Sequence, residues 1–184
     1  MPNLKSNISS TFEKMEINEL LDYIINIHHA YLAKNLPILW ENTQKIAKKH
    51  ADKYPELLEI AQLIEDFVTD LPGHLAQEER ILFPYMRKLD EAQKNKAFDD
   101  IPPFQFLQKP ISHAESDHDD DILALQRLKE LSQNFTAPPD ACEVHNFTFQ
   151  QLAEFENDLL KHIALENEIL FPKAKALEKE MWLV

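Results

Sequence analysis

Two eleven-residue stretches echo each other: His74-Leu-Ala-Gln-Glu78-Glu-Arg-Ile-Leu-Phe-Pro84 and His162-Ile-Ala-Leu-Glu166-Asn-Glu-Ile-Leu-Phe-Pro172. Each sets a histidine four positions before a glutamate. On an α-helix that step returns to the same face one turn on, so an imidazole and a carboxylate can grip one ion between them. The echo reaches further back, because His29 lies 45 residues before His74 and His118 lies 44 before His162. A helix with His followed by a helix with His and Glu, written twice, predicts that His29, His74, Glu78, His118, His162 and Glu166 meet in the core of one bundle. Four imidazoles and two carboxylates form a donor set for two metal ions.

The elements that must position these residues are long helices. A single glycine in 184 residues leaves few positions that take positive φ cheaply, which argues against hairpin-rich β structure and for an all-α, four-helix up-down bundle. The first helix is expected from about residue 17 to Lys49, burying Leu21, Ile25, His29, Leu32, Leu36, Leu39 and Ile46, with Pro37 kinking it. The second runs from about Pro55 to Phe83 and turns Ile60, Ile64, Phe67, Leu71, His74, Glu78 and Ile81 inward. Leu71-Pro72-Gly73 should loosen or kink it beside His74. A Pro-, Asp- and Lys-rich loop around Asn95 to Pro103 follows. The third helix opens near Pro110 and buries Ile111, Ala114, His118, Ile122 and Leu125. After a turn at 136–140, with Asp140 as a cap, the fourth carries Phe149, Leu152, Phe155, Leu159, His162, Glu166 and Ile169 inward. Pro84 and Pro172 are expected to end or bend their helices. Residues 1–16 read as a tail, 17–180 as one bundle domain and 181–184 as an apolar end.

All six candidate ligands fall on buried stripes. A carboxylate buried without a partner costs several kcal/mol or takes up a proton, so two of them beside four imidazoles make sense when cations neutralise them. The other histidines stand apart. His50 is 21 residues beyond His29 on one helix, about 31 Å away, and His145 is 17 residues before His162, about 25 Å away. His50 reads as a helix-end residue. His28 and His113 lie off the stripes and read as structural or solvent-facing, with His28 the better placed to support a ligand.

Nitrogen and carboxylate donors without thiolate disfavour structural zinc and copper(I) and suit iron, with manganese as the other fit. Six donors cannot saturate two six-coordinate ions, so an oxo or hydroxo bridge and small molecules such as nitric oxide, oxygen or peroxide can take the remaining positions. No zinc-peptidase motif and no phosphate-cradling glycine loop is present.

The excess of 32 acidic over 19 Lys and Arg residues excludes the concentrated positive surface that nucleic acid or an anionic membrane requires. Cys142 is the only cysteine, so no disulfide forms within the chain. Flanked by Asp140 and Glu143, its thiol reads as a small packed residue rather than a reactive one. Residues 1–16 show no signal-peptide core and no stretch approaches a membrane span, giving a cytoplasmic expectation.

Taken with their surroundings, these residues resemble hemerythrin-like cation-binding domains, and among them the iron-sulfur cluster repair di-iron proteins. The resemblance covers about residues 20–177. It rests on His28-His29-Ala-Tyr-Leu with Leu36-Pro37, on the two His-Glu stretches ending Leu-Phe-Pro, on Pro110-Ile111 before Asp117-His118-Asp119, and on Pro138-Pro-Asp-Ala-Cys142. It implies a stress-response protein that reacts with nitric oxide or oxygen species and supports repair of iron-sulfur proteins, by iron donation or nitric oxide reduction. It implies the same six ligands, with the glutamates as bridges. A non-catalytic carrier or sensor of oxygen, nitric oxide or iron is the other function the resemblance allows. Many members carry a small cysteine-containing N-terminal domain, and the 28 residues before His29 are too few for it.

Overall fold

The computed structural model describes residues 10–96 and 106–182. Among them the elements are helical throughout: α1 (Ser10–Lys14), α2 (Ile17–Tyr23), α3 (Ala30–His50), α4 (Glu56–Gln77), α5 (Phe83–Asn95), α6 (Gln108–Leu131), α7 (Glu143–Leu165) and α8 (Phe171–Met181). Three π-turns, Ile24–His29, Glu78–Leu82 and Glu166–Leu170, join α2 to α3, α4 to α5 and α7 to α8 without a break. The result is four rods spanning 17–50, 56–95, 108–131 and 143–181.

The rods pack in a ring, with the ends of the second and fourth (α5 and α8) also meeting across it. The first meets the second (α3 on α4, α2 on α5) and the fourth (α3 on α7), and the third meets α4 and α7. Because α2 at the start of the first rod meets α5 at the end of the second, consecutive rods run antiparallel. This is the all-α up-down bundle of the sequence reading, with two rods longer than expected. The second passes through Pro84 to Asn95 and the fourth through Pro172 to Met181, so neither proline ends a helix. Both prolines sit in the first turn after a π-turn, where the hydrogen-bond ladder has already shifted and a missing N–H costs little. Nor do Pro72 and Gly73 interrupt α4, which continues to Gln77. The irregularity expected there lies at Glu78 instead.

Other expectations are corrected in detail. Residues 10–14 of the presumed tail form α1, and Phe12 packs edge-on against Tyr23 at 4.9 Å. Asp140 does not cap the fourth rod. Cys142 is its N-cap, and Asp140 pairs with Lys53 and Tyr54. Ile81 is exposed, because the extra residue of the π-turn rotates Leu82 and Phe83 into the core in its place. Residues 1–9 of the tail, 97–105 of the loop and 183–184 of the apolar end lie outside the described residues. At the loop's edge Lys96 takes positive φ, and Gln133, Asn134 and Phe135 do so in the turn after α6, where a glycine-poor chain has no easier residue to offer. No helix among the described residues is long and apolar enough to cross a membrane.

The interior consists of two apolar cores. One gathers Leu32, Leu36, Ile60, Ile64, Phe67, Leu125, Phe155 and Leu159 with their neighbours, and the other Leu20, Ile24, Phe83, Met86, Ile111, Leu170 and Phe171 with theirs. Along every rod the switch from one core to the other falls at a candidate ligand.

Candidate metal centre

Between the two cores lies a layer of buried polar side chains, His29, Glu78, His118, His162 and Glu166, with His74 nearly so. The π-turns place three of these residues: His29 closes the first, Glu78 opens the second and Glu166 the third. A π-turn widens the helix by one residue and re-aims the side chain it carries. His74, His118 and His162 stand on regular α-helix.

All six residues foreseen from spacing come together here as two overlapping groups. His29, Glu78, His162 and Glu166 form one, and His74, Glu78, His118 and Glu166 the other; within each, potential ligand atoms lie within 4.8 Å of one another. Each group has a facing pair of imidazoles, His29 and His162 with Nε2 atoms 3.2 Å apart, and His74 and His118 with Nε2 atoms 3.1 Å apart. Each glutamate spans both groups. Glu78 points Oε1 at His74 (3.3 Å) and Oε2 at His29 (3.5 Å), while Glu166 points Oε1 at His162 (3.1 Å) and Oε2 at His118 (3.3 Å).

A second set of residues, not foreseen, holds the imidazoles. Glu79 Oε1 accepts from His29 Nδ1 at 2.8 Å, Asp117 Oδ2 from His74 Nδ1 at 3.1 Å, and Asn167 Oδ1 from His118 Nδ1 at 2.9 Å. The signal was in the sequence, since each acceptor adjoins a ligand in the chain. It serves a ligand on a different rod, however, and spacing along one helix cannot show that. His28, expected off the buried stripe, is buried. Its Nδ1 bonds Asp158 at 3.0 Å and its ring lies parallel to His162 at 6.1 Å. His113 is exposed beside Asp117, and His50 and His145 stack on each other at the far end of the bundle.

The chemistry of this layer asks for cations. An acceptor at Nδ1 fixes the proton there and turns the Nε2 lone pair outward. In their neutral forms His74 and His118 therefore direct lone pairs at each other, an arrangement that a shared proton or a cation between them relieves. None of the four carboxylate oxygens of Glu78 and Glu166 has an aligned hydrogen bond, although all are buried. Burial and the charge of Glu166 push the Glu78 carboxyl up to about 7. For Glu166 burial works the same way, but the charges of His162 and His118 overcome it and hold that carboxyl well below the usual range. Two carboxylates so close cannot both ionise cheaply without a counter-charge. His74 is raised to about 9: burial opposes this, and the adjacent Glu78 carboxylate together with the Asp117 hydrogen bond outweighs it. Burial lowers His29. Two divalent ions would meet every one of these demands, with a nitrogen and oxygen donor set and both glutamates in bridging positions.

A cleft of about 610 Å³ runs between α3 and α4 and reaches the layer at His29 and Glu79. Its walls are largely apolar, formed by Leu32, Leu36, Val68, Leu71 and Leu75 among others.

Comparison with known proteins agrees with this architecture. The family model of the hemerythrin HHE cation binding domain matches residues 20–174. Among curated relatives, the iron-sulfur cluster repair protein YtfE of Citrobacter koseri is 32% identical over 171 residues, covering 93% of this chain and 72% of that protein. The proteins of the same name from Enterobacter sp. strain 638 and Escherichia coli O157:H7 are 32% and 31% identical over the same coverage.

Proposed function

The chain belongs to the hemerythrin HHE cation-binding family, and from that premise we propose that it is a non-haem di-iron protein of the stress response that supports repair of damaged iron-sulfur clusters. The observation that carries the metal reading is the pair of facing imidazoles, His74 with His118 and His29 with His162, spanned by two buried carboxylates that lack aligned hydrogen bonds. Thiolate is absent from the set and the carboxylates lie where they can bridge, which favours iron, with manganese as the alternative. The repair role is carried over from the relatives named above.

His29, Glu78, His162 and Glu166 would hold one ion, and His74, Glu78, His118 and Glu166 the other. Two ferrous ions with an oxo or hydroxo bridge would supply electrons and open coordination positions for nitric oxide, oxygen or peroxide. The chain's own residues do the rest. Glu79, Asp117 and Asn167 keep three imidazoles in one tautomer and orientation, and the flanking cores exclude water. The cleft gives small molecules such as nitric oxide a path to the layer at His29 and Glu79.

The test is metal analysis of protein isolated without added metal, followed by incubation with an iron-sulfur enzyme inactivated by nitric oxide or peroxide. Two irons per chain and restored enzyme activity are expected, with neither from a Glu78→Ala, Glu166→Ala double variant. Nitrous oxide evolved from the ferrous protein would identify nitric oxide reduction as part of the role. A stable, reversible oxygen adduct with no effect on the damaged enzyme would instead make the protein a carrier.

A further inference from the structure

The imidazoles of the layer follow a rotary pattern that breaks at one place. The second rod supplies Glu79 to His29 of the first, the third supplies Asp117 to His74 of the second, and the fourth supplies Asn167 to His118 of the third. Each acceptor sits next in sequence to a ligand of its own rod. The residue that would complete the circle is His28, beside His29 on the first rod and facing His162 on the fourth. It does not accept a hydrogen bond from His162. Its Nδ1 is engaged with Asp158, its ring only stacks on His162, and His162 Nδ1 is buried without a hydrogen-bond partner.

The cavities beside the two imidazole pairs differ in size in the same sense. His29 and Glu79 form part of the wall of the 610 Å³ cleft, so that side of the layer communicates with the surface. His74 and Asp117 border a crevice of about 10 Å³.

Resting on the di-metal reading above, we infer that the two ions are unequal: the one shared by His29 and His162 is exchangeable cargo, leaving and arriving along the α3–α4 cleft, and the one shared by His74 and His118 is retained. A ligand imidazole whose outer N–H is bonded to an acceptor is both oriented and a stronger donor, and losing such a partner costs about 10–100-fold in metal affinity. The His74–His118 ion has two tethered imidazoles and a crevice of about 10 Å³ beside His74. The His29–His162 ion has one tethered imidazole and an open cleft. In iron donation this chain therefore gives up one ion and keeps the other, and the glutamates stay anchored to the ion that remains.

The full chain is loaded anaerobically with two ferrous ions and mixed with excess ferrous chelator. Release is expected in two phases of one ion each, the first at least about 10-fold faster. Anomalous scattering from crystals of the half-depleted protein should place the remaining ion between His74 and His118. Ala33→Phe, which fills the cleft from α3 without touching a ligand, should slow the first phase and spare the second. Asn167→Leu should speed the second. Release of both ions in one phase, or a remaining ion found between His29 and His162, overturns the inference while leaving the di-metal reading intact. A chain that takes up fewer than two ions overturns that reading and this inference with it.

Discussion

His50 Nε2 stands 3.3 Å from Cys142 Sγ, linking the last residue of α3 to the residue that caps α7, at the end of the bundle remote from the ligand layer. His145, one turn into α7, is buried against His50 with ring centroids 5.8 Å apart. Two histidines and the single cysteine thus tie the ends of two rods together and take no part in the polar layer.

Substituting His50 therefore separates stability from metal binding. His50→Ala should retain the full complement of metal while its thermal midpoint falls by about 2–4 °C, the equivalent of one lost hydrogen bond in a chain of this size. Metal analysis alongside a thermal scan checks this. Loss of metal in step with His50 would mean that the far end of the bundle contributes to the centre.

Glu78 and Glu166, the proposed bridges, should behave oppositely. Glu78→Ala or Glu166→Ala each removes a donor from both ligand groups at once, so each should weaken metal binding by more than the roughly 10–100-fold seen when only an outer partner is lost. Equilibrium competition with a chelator of known strength measures the change. Retention of both ions at wild-type affinity by either variant would show that the glutamates do not bridge.

Metal uptake should release protons. In the metal-free protein His74 holds its proton up to about 9 and Glu78 up to about 7, and both must lose it to act as ligands. Apparent affinity is accordingly expected to climb most steeply below about 7, where both protons must be displaced, less steeply between about 7 and about 9, where only that of His74 remains, and to level off above that. Chelator competition across this range tests the claim, and a profile flat from pH 6 to 9 contradicts it.

Glu78 also sets a pH dependence on the stability of the metal-free protein. Its folded-state value of about 7 lies above the unfolded value of 4.5, so its favourable contribution is complete below 4.5 and lost as pH rises through about 7. Glutamine mimics the protonated carboxyl. Glu78→Gln should thus stabilise chelator-treated protein by roughly 1–3 kcal/mol at pH 8 and by much less at pH 5. Denaturant titrations at the two pH values decide the matter; equal effects at both would show that the carboxyl titrates normally.

The bundle and the convergence of six side chains were legible because both follow from periodicity along single helices. Repeated His-x-x-x-Glu steps fix a shared face, and matching gaps of 45 and 44 residues set the four faces at one height. What stayed hidden depends on contacts between rods or on breaks in periodicity. The π-turn at Glu78 is such a break: a 3.6-residue rhythm puts Ile81 inside, whereas the widened turn exposes it and buries Leu82 and Phe83. Glu79, Asp117 and Asn167 look like solvated neighbours of ligands until the adjoining rod is in place. The burial of His28 was missed for the same reason, coming from Asp158 and His162 of the fourth rod.

The division of the interior at the ligand layer gives the protein a mechanical seam. Each apolar core is continuous within itself, while the plane between them is held by buried carboxylates and imidazoles. A filled seam welds the two halves into one cooperative unit. A depleted one lets them open separately, with amides near the layer exchanging hydrogen ahead of those deep in either core. On the proposed donor role, surrendering metal would loosen the chain that surrendered it, and a spent molecule would be distinguishable from a charged one by its rigidity alone.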